Sequence, residues 1–142
     1  MSDGAAVIDT NVVVSGVLTS VSVSPTARIL DGMLVGRFQF LLSVELLAEY
    51  REVLLRERIR RGHGLSPVEI DVILTEIAAN AMIVAVEPTS GRKSRKEDDH
   101  LWSILAAVPA ARLVTGDQRL IDRPVKGARV LTPREFNDSL PD

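Results

Sequence analysis

The sequence predicts an α/β fold built on a mainly parallel sheet of about five strands. Short apolar runs alternate with amphipathic stretches along the whole chain, the order expected of repeated strand–helix units. Helix-opening residues stand directly behind two of those runs, Asp9 after Ala5–Ile8 and Ser43 after Phe38–Leu42. The apolar runs are far too short to cross a bilayer.

Ala5 to Ile8 reads as the first strand, followed by a helical stretch over Asn11 to Leu18. The Ser-, Val- and Gly-containing run from Ser15 to Ser24 is expected to contain a loop. Pro25 suits the first turn of a helix reaching about Gly36, because proline loses no needed hydrogen bond there. Phe38 to Leu42 forms the second strand. Ser43 then caps a long helix to about Arg61, stopped by Gly62-His63-Gly64. Ser66-Pro67-Val68-Glu69 has the pattern of a capping box and opens a helix to about Ala81. Met82 to Val86 is the third strand, Thr89 to Lys96 a basic loop, and a helix runs from near Asp98 to before Pro109. Leu113 to Thr115 and Ala128 to Leu131 complete the strands, and Pro133 opens a short terminal helix.

The 142 residues fit one domain, 1–142, large enough to fold without staples. A composition of 46% hydrophobic and 25% charged residues separates the chain from disordered sequences. No cysteine is present, which excludes disulfides and thiolate metal sites. The opening Met-Ser-Asp-Gly lacks the basic region of a signal peptide, and a cytoplasmic location is expected. A net charge of -2 argues against a nucleic-acid binder. It hides two basic clusters, however: Arg56, Arg58, Arg60 and Arg61, and Arg92, Lys93, Arg95 and Lys96.

Function is carried by acids at element boundaries. Asp9 closes the first strand and Asp117 follows the Leu113-Val114-Thr115-Gly116 segment. In an open α/β sheet, functional groups gather beyond the carboxyl ends of the strands. Carboxylates brought together there repel unless a cation or proton compensates them. Each acid also has an ordinary explanation. Asp9 suits a helix N-cap, Asp117 a turn, and Asp98 and Asp99 the first turn of a helix.

Two adjacent acids exceed what a cap needs, and Asp98 projects nearer the apolar face than Asp99. Glu49 borders the stripe of Leu46, Leu47, Tyr50, Val53 and Leu54, whereas Glu45 and Glu52 point to solvent. His63 is expected in solvent and Trp102 in the core. His100 neighbours the acids, where a structural role or a phosphate contact fits better than paired-histidine catalysis.

Taken together, Ala6-Val7-Ile8-Asp9-Thr10-Asn11, Glu49 in Leu47-Ala48-Glu49-Tyr50, the acid pair before Trp102, and Leu113-Val114-Thr115-Gly116-Asp117 resemble a PIN domain. More narrowly, the chain resembles the bacterial PIN-family toxin components of toxin-antitoxin systems, related to VapC-type toxins. The resemblance implies a three-layer α/β/α fold and a Mg²⁺- or Mn²⁺-dependent ribonuclease. It carries the metal role onto Asp9, Glu49, Asp98 and Asp117, and implies a cognate antitoxin and often a homodimer. Where relatives often carry acids, this chain has Ser103 and Arg119.

Oxygen-only ligands suit Mg²⁺ or Mn²⁺. Asp9, Asp98 and Asp117 are the expected ligands, with Asp99 an alternative to Asp98 and Glu49 either a ligand or a base for water. Thr10, Asn11 and Thr115 would orient them. Arg92, Lys93, Arg95 and Lys96 would track RNA phosphates or form a solvated loop. Two other readings stand beside the nuclease. One is an inactive PIN-like binding module. The other is a receiver-like signalling domain, against which the late position of the acid pair speaks.

Overall fold

A computed structural model of the chain describes residues 4–86, 99–125 and 127–141, and at residue 99 only the backbone. The elements follow the order β1 (Ala6–Ile8), α1 (Thr10–Leu18), α2 (Pro25–Val35), β2 (Phe40–Leu42), α3 (Val44–Leu54), α4 (Glu57–His63), α5 (Pro67–Asn80) and β3 (Met82–Ile83). Then come α6 (Asp99–Ala107), β4 (Arg112–Val114), α7 (Gln118–Asp122), β5 (Arg129–Leu131) and α8 (Pro133–Ser139).

Side-chain caps explain where many helices begin. Ser43 accepts from the Leu46 amide, and Ser24 from that of Ala27 beside the expected Pro25 start. Ser66 with Glu69 and Thr132 with Glu135 form complete capping boxes, each satisfying two amides that a helix start leaves without partners. α2 ends at Gly36, whose φ of 71° places it in the left-handed region that glycine occupies without strain.

The five strands form one sheet in the order β3-β2-β1-β4-β5, every neighbouring pair parallel. This is the expected α/β architecture, with helices flanking the sheet. β1, β2 and β4 are buried along their whole length, as parallel strands covered on both faces must be. β3 lies at one edge with Met82 and Ile83 exposed. Even the buried Arg112 on β4 serves packing: its guanidinium lies 5.2 Å over the Phe136 ring and donates to the Gly4 carbonyl.

The chain leaves β1, builds outward to β2 and β3, then returns to place β4 on the opposite side of β1. The sheet order therefore reverses between β1 and β4. A crevice opens beyond the carboxyl ends at such a reversal, because the connections leave in opposite directions.

Three local expectations are corrected. The long helix after Ser43 breaks at Leu55–Arg56 into α3 and α4. Leu46, Tyr50 and Leu54 bury one face at four-residue intervals, but the next position on that face is Arg58, which is exposed. Breaking the helix turns the arginines outward and lets Ile59 pack. The third strand is only Met82–Ile83, and α7, unforeseen, follows Asp117 directly.

His63, expected in solvent, is half-buried. Its Nδ1 accepts from the Leu65 amide and its Nε2 donates to the Leu54 carbonyl at 2.9 Å, tying the end of α4 to the end of α3. Trp102 is also half-buried and packs at the border of the core rather than within it. No helix among the described residues is long and apolar enough to cross a membrane.

Candidate metal centre at the strand ends

Asp9 directly follows β1 and caps α1, which puts it at the carboxyl end of the sheet beside the reversal, and it is only 6% exposed. A carboxylate buried to that degree needs donors, and it has them. The Thr10 amide donates to Oδ1 at 2.7 Å. The Thr115 hydroxyl, from the far side of the reversal, donates to Oδ2 at 2.7 Å, and Asn11 Nδ2 donates to the same oxygen at 3.0 Å. The cap and the candidate ligand are thus the same side chain.

Asn11 and Thr115 stitch the two strand ends together. Asn11 Nδ2 also donates to Thr115 Oγ1 at 3.2 Å, and Asn11 Oδ1 accepts from the Gly116 amide at 2.9 Å. Thr115 Oγ1 in turn accepts from the Asp117 amide at 3.0 Å. Asp9 and Asp117 therefore stand at the same end of the sheet, linked through one hydroxyl. Asp117 also caps α7, and both of its oxygens are engaged by Arg119. That guanidinium holds the Asp117 carboxyl below the usual range.

Glu49 arrives from α3. The neighbouring Tyr50 is fully buried, and its hydroxyl donates to the Ile8 carbonyl, one residue before Asp9. Burial raises the Tyr50 pKa well above its ordinary value, and the charges of Asp9 and Glu49 raise it further. The phenol therefore stays protonated and fastens α3 to the end of β1. The border position expected of Glu49 is observed: it is half-buried, while Glu45 and Glu52 are exposed.

The sequence does not reveal that Glu49 is paired with His100. Nε2 of His100 donates to Glu49 Oε1 at 2.5 Å, and the imidazole is only 8% exposed. Burial opposes protonation of His100. The Glu49 hydrogen bond and the charges of Glu49, Glu45 and Asp9 together outweigh it, and the pKa rises. His100 thus reports a strongly negative local field.

Asp98 and the cluster Arg92, Lys93, Arg95 and Lys96 lie outside the described residues, and Asp99 is described only as the first residue of α6. Among the described residues, no three His, Cys, Asp or Glu side chains stand close enough to hold an ion. The donor chemistry nevertheless fits a hard divalent cation, being carboxylate oxygen, with Asp9 oriented by the neutral donors Thr10, Asn11 and Thr115. Two buried polar atoms, Thr10 Oγ1 and His100 Nδ1, have no hydrogen-bond partner among the described residues. Such atoms are costly to leave unmet and mark a place suited to a polar occupant.

The basic cluster on α4 is partly self-neutralised. Arg56 pairs with Glu52 at 3.4 Å and Arg61 with Glu57 at 2.7 Å, both exposed pairs of small energetic weight.

A family model described as a PIN domain matches residues 5–119, the span that contains Asp9, Glu49, Thr115 and Asp117. No curated protein matches the chain.

Proposed function

The chain belongs to the PIN domain family, and from that premise we propose that it is a Mg²⁺- or Mn²⁺-dependent ribonuclease, the toxin component of a toxin-antitoxin system. PIN domains are in general nucleases that use divalent metals. The observation that best supports metal dependence is the pinning of Asp9 at the sheet reversal by Thr10, Asn11 and Thr115. A carboxylate oriented before any ligand arrives loses little entropy on binding one.

Asp9, Asp98 and Asp117 are the proposed ligands, with Asp99 the alternative to Asp98. Held there, a divalent cation would supply a lowered pKa for bound water and charge neutralisation at the phosphate. Thr10, Asn11 and Thr115 fix the direction of Asp9. Glu49, aimed by His100, takes the proton of the attacking water or joins the ligands. Water oxygen bonds to phosphorus as the bond to the 3′ oxygen breaks, and that oxygen leaves with a proton. The products therefore carry a 5′-phosphate and a 3′-hydroxyl. Arg92, Lys93, Arg95 and Lys96 are proposed to follow the RNA backbone.

The test is incubation of the purified chain with Mn²⁺ and assorted RNAs, beside an Asp9→Asn control. Cleavage abolished in the control, with 5′-phosphate ends, supports the reading; equal cleavage in both removes it. The toxin role predicts that expression arrests bacterial growth, that Asp9→Asn does not, and that a small protein from an adjacent reading frame relieves the arrest. Self-association into a homodimer belongs to the same proposal.

One observation favours a second reading, an inactive binding module: His100 and Arg119 already neutralise Glu49 and Asp117 from within the chain. RNA binding without cleavage in any divalent cation supports that alternative.

A further inference from the structure

We propose that Arg119 is a tethered counter-ion of Asp117, so that this carboxylate enters the metal centre only when a divalent cation displaces the guanidinium. The proposal rests on the ribonuclease reading in one respect, that Asp117 belongs to the metal centre.

One residue grips the carboxylate with three donors. Arg119 Nη2 donates to Oδ2 at 2.7 Å, while Nε at 3.2 Å and the backbone amide at 2.9 Å both donate to Oδ1. The planar fork of arginine matches a carboxylate in this way, and charge-assisted pairs of this kind are stronger than neutral ones. The geometry is built in, because Asp117 caps α7 and Arg119 is the second residue of that helix. A cation only two residues away is always close at hand, which raises its effective concentration at the carboxylate.

Exposure shows which partner is able to leave. The Arg119 side chain is 78% exposed and that of Asp117 23%. The guanidinium can swing into solvent without opening the core, while the carboxylate stays at the rim.

Asp9 differs in kind. Thr10, Asn11 and Thr115 aim its carboxylate with neutral donors, whereas Asp117 is gripped by a cation from its own helix. In this proposal Asp117 is a ligand gained by exchange. An incoming cation must compete with Arg119 for the carboxylate.

The experiment is a calorimetric titration of the intact chain with Mn²⁺ in the absence of RNA. It compares wild type, Arg119→Gln, Asp117→Asn and the double variant, with circular dichroism to verify folding. Arg119→Gln is expected to bind Mn²⁺ several-fold more tightly than wild type. The gain should vanish when Asp117→Asn is added, and Arg119→Lys, which keeps the charge but not the fork, should fall between. Affinity of Arg119→Gln equal to or below wild type overturns the exchange, as does a gain that survives in the double variant. If wild type binds Mn²⁺ through Asp9 while Arg119→Gln binds no better, the exchange fails and the nuclease reading stands. No binding by any of the proteins removes both.

Discussion

Thr115 donates its hydroxyl to Asp9 Oδ2 at 2.7 Å, joining the ends of β1 and β4 through a buried bond to a charged group. Thr115 Oγ1 also accepts from the Asp117 amide, so one hydroxyl aligns both acids. Thr115→Val keeps the shape and removes the bond. Hydrogen bonds to charged groups contribute about 1.5–3 kcal/mol, and a loss of that size is expected in the urea unfolding midpoint. Mn²⁺ affinity should fall as well. Unchanged stability and affinity would show that Asp9 is held without Thr115.

His100 makes stability depend on pH. Its folded pKa is raised, so its contribution is fully present below the unfolded value of about 6.5 and is lost as pH rises through the higher folded value. Urea titrations of the wild type and His100→Gln across that window should therefore converge with rising pH. A difference that stays constant would deny the charged pair with Glu49.

Tyr50→Phe deletes the hydroxyl that reaches Ile8 and leaves a buried carbonyl without that donor. The expected cost is about 1–3 kcal/mol. Because Glu49 is the adjacent residue on α3, the proposed RNA cleavage is expected to weaken more than the stability loss explains. The comparison of turnover at matched folded fraction checks this.

Gly64 ends α4 with φ at 70°, and nothing lies near the position a Cβ would take. Gly64→Ala should therefore cost only backbone strain, about 1–2 kcal/mol. At Gly62 a Cβ would meet Leu18 Cδ2 at 2.7 Å without a positive φ. Leu18 is partly exposed and can shift, so Gly62→Ala should cost less than Gly64→Ala. Thermal melts of the two variants give the order.

The parts of this molecule governed by local chemistry are legible in the sequence. Pro25, the Ser66–Glu69 box and Pro133 open helices where they should, and Asp9 caps α1 immediately beyond β1. The border position of Glu49 follows from helical periodicity. What stays hidden depends on distant neighbours. The α3–α4 break arises because the face that buries Leu54 would next carry an arginine. The Glu49–His100 pair joins residues 51 positions apart, which no local pattern encodes. Arg119 stands two residues from Asp117 in plain view, yet only the α7 turn closes its fork on the carboxylate.

Asp9 and Thr115 are 106 positions apart. A chain emerging from a ribosome carries its first acid long before the residue that orients it. Contacts between such remote segments form late because a large loop must close first. The bond from Thr115 that orients Asp9 therefore cannot form until synthesis has passed β4 and that strand has docked beside β1.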